Sequence, residues 1–110
     1  MLIAAPKLVW VKNNEPAIFA RVAKVLLPKD YLRLWLTGDH VAEMSDAAGT
    51  GWLETGKRAW SDDLLAMTDL SRTHMPRLVE GSEVSATLRP ELAARFGCGR
   101  GVVVAGGGGD

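Results

Sequence analysis

Apolar residues in this 110-residue chain fall in short clusters between turn-forming residues, and their spacing switches between helical and extended repeats. Residues 7–13, KLVWVKN, predict a short apolar-rich helix. Asn14 and Pro16 restart a helix there, Asn14 as a cap and Pro16 in the first turn, with Ile18, Phe19 and Val22 as its buried face. Val25, Leu26 and Leu27 form a compact run that suits a buried strand. PKDYLRLWLTG is the clearest helix: Pro28 opens it, Tyr31, Leu32, Trp35 and Leu36 repeat at helical spacing, and Gly38 supplies a left-handed stop.

Residues 40–44 and 51–54 read as strands on either side of SDAAGT, which has the composition of a turn. Thr55 and Gly56 make a second turn. Ser61, Asp62 and Asp63 open a short helix with acids at the positive end of its dipole. Ser71 caps a further turn that stops before Pro76. A weak strand at 83–88, a helix from Pro90 stopped by Gly97, and a last strand at 102–104 complete the chain. Helices alternating with short strands predict an α/β fold.

Composition narrows the function. Thirteen basic and thirteen acidic residues cancel and are interspersed, which argues against a nucleic acid or an anionic membrane as partner. No apolar run approaches a spanning length, and the N-terminal residues lack the charge pattern of a secretory signal. Cys98 is the only cysteine, which excludes an internal disulfide and a cysteine-rich zinc site and fits a cytoplasmic setting. His40 and His74 lack metal-ligand spacing, so no metal site is expected from the chain's own residues.

Candidate chemistry concentrates at VVVAGGGGD. Ligands in open α/β sheets lie beyond the carboxyl ends of strands, and Asp110 follows the last strand by a few residues. Gly107, Gly108 and Gly109 would let backbone amides approach a phosphate or a sugar closely. No Gly-Lys-Ser/Thr follows, so this is not a Walker-type phosphate loop. Taken alone, four consecutive glycines also read as a flexible tail. Ser45 and Asp46 in SDAAGT read as a structural turn, since one carboxylate without a partner makes a poor metal site. Lys7 and Trp10 share one helical face, which reads first as packing, with a cation–π contact or a direct substrate role as the alternatives. Trp35, Trp52 and Trp60 are expected in the core or at its rim.

Several stretches, in order, carry a resemblance to one family. APKLVWVKNNEP, with Lys7 and Trp10, is followed by KVLLPKDYLRLWLTGD, MSDAAGTGWLETGKRAWSDDLL, MPRLVEGSEVSATLRPELAARFG and VVVAGGGGD. Together they resemble the FGGY carbohydrate kinases across nearly the whole chain, most closely the pentulose-phosphorylating branch. The resemblance implies an actin-like or ribonuclease-H-like ATPase domain, with a mixed sheet and flanking helices, truncated at both ends. Residues 1–110 would be the later part of the N-terminal, sugar-binding domain. The C-terminal nucleotide domain and an N-terminal phosphate-binding hairpin would lie in the remainder of the parent kinase. The implied reaction makes D-xylulose 5-phosphate from D-xylulose with ATP and Mg2+, Asp110 acting as catalytic base beside Gly107, Gly108 and Gly109. Another sugar or polyol (ribulose, gluconate or glycerol) and a non-catalytic α/β module are the alternatives. The isolated chain is expected to be inactive.

Overall fold

The computed structural model describes residues 3–109. Helix α1, Ala5–Asn14, has Pro6 in its first turn, and the amide of Ala5 donates to Thr50 O at 3.0 Å. Helix α2, Pro16–Phe19, is a single turn. Asn14 does not cap it; its side-chain amide instead donates back to Trp10 O at 2.9 Å. Ile18 on α2 is exposed, while Phe19 packs against the core. Val25, Leu26 and Leu27 are half-buried but form no strand. The amide of Val25 donates to His74 O at 2.8 Å, a single cross-link in place of a ladder.

Helix α3, Pro28–Thr37, begins and ends where the punctuation predicts, with Gly38 at φ 87°. Asp30 caps it, accepting from the amide of Leu27 at 3.1 Å. Its apolar side faces outward. Asp30 and Arg33 are buried, whereas Tyr31, Leu32 and Trp35 lie largely in solvent. Trp35 meets only the Phe96 ring among aromatic partners, 6.5 Å away. The exposed stripe is the apolar one because helix periodicity fixes which residues share a face, but not which face meets the chain's own core.

Strand β1, Val41–Glu43, is completely buried and runs straight into helix α4, Met44–Ala48. SDAAGT is therefore helical at its start, because a residue outside it supplies the cap: Glu43 accepts from the amides of Ser45 and Asp46, each at 2.8 Å. Strands β2, Leu53–Glu54, and β3, Ala59–Trp60, form a short hairpin. Helix α5, Asp62–Met67, is capped by Ser61, and a single 3-10 turn follows at Arg72–His74. Strand β4, Arg77–Val79, pairs in parallel with β1, Val41 opposite Arg77 and Glu43 opposite Val79. Strand β5, Val84–Thr87, helix α6, Pro90–Arg95, and strand β6, Val103–Ala105, form the last unit, with β5 and β6 antiparallel. The parallel and antiparallel ladders occur as three two-stranded pairs.

The core gathers Ala42 and Ala47 with Trp52, Trp60, Leu65, Leu70 and Met75. Both buried indoles are satisfied: Trp52 Nε1 donates to Thr68 Oγ1 and Trp60 Nε1 to Pro76 O, each at 2.9 Å. The radius of gyration is 15.2 Å, above the roughly 13 Å of a compact domain of this length. Among the described residues no helix is long and apolar enough to cross a membrane.

Candidate active site

The segments that follow β1, β4 and β6 meet at one place. β1 leads to Glu43 and α4, β4 leads to the Glu80–Gly81 turn, and β6 leads to Gly106 and the glycines after it. This is the strand end where ligands collect in open α/β sheets.

The glycine run is held by backbone contacts first. The amide of Gly106 donates to Glu83 O at 2.8 Å and that of Gly107 to Gly81 O at 2.9 Å. A Cβ on Gly106 would collide with the Glu80 carbonyl, and one on Gly81 with Gly107 O. Two backbones therefore approach more closely than any side chain would permit. Gly107 also has φ 94°, a conformation that strains other residues.

Side chains from α3 and α4 hold the rest. Buried Arg33 donates through Nη1 to Val41 O at 3.0 Å and through Nη2 to Gly106 O, joining α3 to β1 and to the end of β6. Lys29 Nζ reaches Glu43 Oε1 at 2.7 Å, Asp46 Oδ2 at 2.7 Å and Gly108 O at 3.2 Å. Those three contacts use all three ammonium hydrogens. Ser45 Oγ lies 2.8 and 2.7 Å from the two Glu43 carboxylate oxygens and accepts from the amide of Gly109 at 2.9 Å. A Cβ on Gly109 would fall on Asp46 Oδ1.

The electrostatics follow from these contacts. Glu43 is 1 % exposed, and burial by itself would push its carboxyl up. The Lys29 ammonium, the Ser45 hydroxyl and the amides of Asp46 and Ser45 outweigh burial and hold it at about 2. Burial likewise opposes the charge on Lys29, but its bonds to Asp46 and Glu43 prevail and raise its pKa. Asp30 moves the other way: burial dominates and raises it, against the Leu27 amide and the Arg33 charge.

Gly107, Gly108 and Gly109 are thus brought to one end of the strands, with solvent on one side. Asp110 lies outside the described residues. The glycines are not a free tail, because partners elsewhere in the chain bond Gly106, Gly107, Gly108 and Gly109. Lys29, Arg33 and Glu43 were not singled out from sequence. A signal did exist: Lys29 and Arg33 stand one helical turn apart, and Glu43 closes an apolar run two residues before Ser45. His74 accepts from the amide of Ser71 through Nδ1 at 3.1 Å, a local cap, and Cys98 is exposed. Among the described residues no cluster of three or more His, Cys, Asp or Glu side chains could hold a metal ion.

An α/β strand end that presents an ordered glycine run is the framework of a small-molecule site, and comparison with known proteins gives it a family. Residues 1–110 match the FGGY family of carbohydrate kinases, N-terminal domain. The chain belongs to that family. It is 58 % identical over 104 residues to the xylulose kinase of Escherichia coli (strain K12), covering 94 % of this chain and 22 % of that protein. The crystal structure of a xyloylose kinase from Brucella ovis superposes with a TM-score of 0.95 at 63 % identity, over 97 % of this chain and 22 % of that one. That of a gluconate kinase from Lactobacillus acidophilus gives 0.91 at 25 % identity, over 96 % and 22 %. The chain therefore spans about a fifth of the length of these relatives. The fold class is the actin-like α/β one of the sugar kinases.

Proposed function

We propose that residues 1–110 are the later part of the sugar-binding domain of an ATP-dependent kinase that converts D-xylulose to D-xylulose 5-phosphate, with Asp110 as the base. The observation that carries the reading is the tethered glycine run: Lys29 and Ser45 bond Gly108 and Gly109, and the next residue in the chain is a carboxylate. A carboxylate within hydrogen-bond reach of the sugar hydroxyl orients it and takes its proton as the oxygen attacks phosphorus. ATP supplies the γ-phosphoryl group and Mg2+ offsets its charge. The described residues offer no set of side chains for the metal. The metal and the adenine nucleotide are assigned to the remainder of the parent kinase. Gly107, Gly108 and Gly109 present backbone without side chains toward the substrates. The uncovered apolar stripe on α3 supports a larger parent, since a face of this kind ordinarily packs against something. An exposed Cys98, the only cysteine, supports a reducing, cytoplasmic compartment.

The high identity to proteins named xylulose kinase favours that sugar. Fold alone does not choose it, since a gluconate kinase superposes nearly as well. The test uses the polypeptide encoded by the full reading frame, assayed with ATP and D-xylulose, ribulose, gluconate or glycerol. D-Xylulose is expected to give the highest kcat/KM. Asp110→Asn is expected to lower kcat by roughly 100- to 10,000-fold. Undiminished kcat in that variant overturns the assignment of the base, and preference for another sugar overturns the substrate. The 110-residue chain alone is expected to show no turnover.

A further inference from the structure

We propose that Lys29, Ser45 and Asp46 are a clamp on the Gly108–Gly109 peptide that sets where the following carboxylate points, and so are positioning residues for phosphoryl transfer. This rests on the reading of Asp110 as the base. Ordering glycine is entropically the most expensive ordering a chain undertakes, and a linker has no need of it. Here the polar group of each end of the run has its own partner. Gly106 O accepts from Arg33, Gly108 O accepts from Lys29 at 3.2 Å, and the amide of Gly109 donates to Ser45 Oγ at 2.9 Å. The two clamping side chains are themselves fixed from behind by Glu43, which is buried and bonds both of them.

Asp46 performs a different task. Its Oδ2 holds the Lys29 ammonium at 2.7 Å, while its Oδ1 fills the space a side chain on residue 109 would need. The clamp thus closes on the peptide from two sides, and a side chain at 109 would have to push the Asp46 carboxylate off Lys29. Its outer parts contribute little to the core: Ser45 is exposed and the Asp46 and Lys29 side chains are each 30 % exposed. Side chains that add little to burial yet fix the backbone next to a reacting group fit a positioning role, because a displacement of about 1 Å there costs about a hundredfold in rate.

The experiment compares Ser45→Ala, Asp46→Asn, Lys29→Met and Lys29→Arg with Asp110→Asn in the full-length enzyme. It measures kcat, both KM values and thermal melting for each. Ser45→Ala is expected to lose roughly 3- to 10-fold in kcat, the worth of one hydrogen bond. Lys29→Met is expected to lose roughly 30- to 100-fold, with partial recovery in Lys29→Arg. Both KM values should stay within about twofold and Ser45→Ala should keep one cooperative melt well above the assay temperature, a split that loss of fold would not produce. If Lys29→Met does not fold, Ser45→Ala and Asp46→Asn decide. Wild-type kcat in both, alongside a dead Asp110→Asn, overturns the clamp and leaves the base in place. A raised KM at unchanged kcat also overturns it, by making these substrate contacts. An active Asp110→Asn instead overturns the base, and the clamp's purpose with it.

Discussion

Two regions of this molecule are buried to the same degree and built on opposite principles. Around α4 and α5, Trp52, Leu65 and Trp60 pack against Ala47 and Met75, and the two polar atoms they carry have partners. Between α3 and the ends of β1 and β6, the buried groups are Asp30, Arg33 and Glu43. The first region is held by apolar area removed from water, which is strong and non-directional. The second is held by charges whose desolvation offsets much of their attraction, so its yield in stability is small for its size. What it supplies is direction. Arg33 spans α3, β1 and Gly106, while Glu43 aligns Lys29 and Ser45 on the next glycines. Even so its satisfaction is incomplete, since among the described residues Asp30 Oδ1 and Arg33 Nε find no hydrogen-bond partner.

The apolar region should prove the costlier of the two to disrupt. Trp52→Ala is expected to lose about 3–5 kcal/mol, read from thermal or urea melts; a loss below about 1 kcal/mol would show that this cluster is not the core. Glu43→Gln should come next, at about 2–3 kcal/mol, because charge-assisted bonds to Lys29, Ser45 and two amides weaken together. The same residue sets an acid limb. Its folded pKa of about 2 lies below the unfolded 4.5, so its contribution is complete above about pH 4.5 and fades as pH falls toward 2. Glu43→Gln should flatten that part of the stability profile; an unchanged profile would mean that Glu43 is not held by these donors. Gly106→Ala is expected to cost a comparable amount, about 1–3 kcal/mol, since its Cβ meets backbone at Glu80, which cannot swing away as a side chain can.

Helix boundaries were the most legible part of the fold. Pro28 and Gly38, Ser61, and Pro90 with Gly97 mark helix ends with local chemistry, and α3, α5 and α6 begin where those residues stand. Strands β3 and β4 escaped notice, being two and three residues long and defined only by distant partners. Val25–Leu26–Leu27 has the composition of a strand, but among the described residues it pairs with no strand along its length. The spacing of Tyr31, Leu32 and Trp35 marks α3 as a helix but does not say which side it buries, and here Asp30 and Arg33 point inward. The glycine run was readable as a motif, but what holds it was not. Lys29 and Gly108 are 79 positions apart, and nothing local in PKDYL says that a lysine will bond a backbone carbonyl there.

A surface pair outside both regions should matter least. Arg58 pairs with Glu80 across the surface, with both side chains about half exposed. Exposed pairs of this kind contribute about 0.2–1 kcal/mol. Arg58 also sits at φ 52°, in the hairpin turn between β2 and β3. A non-glycine residue there costs about 1–2 kcal/mol, a cost that Arg58→Gly would remove. The glycine would in turn give the unfolded chain extra freedom, at about 0.5–1 kcal/mol. The three contributions nearly cancel, so Arg58→Gly is expected to shift stability by no more than about 0.5 kcal/mol. Glu80→Gln keeps the backbone strain and removes only the charge, so it isolates the pair. A loss above about 1.5 kcal/mol in Glu80→Gln would mean that this surface contact does what the buried polar joint does, fixing the turn at Gly81 on which Gly107 rests.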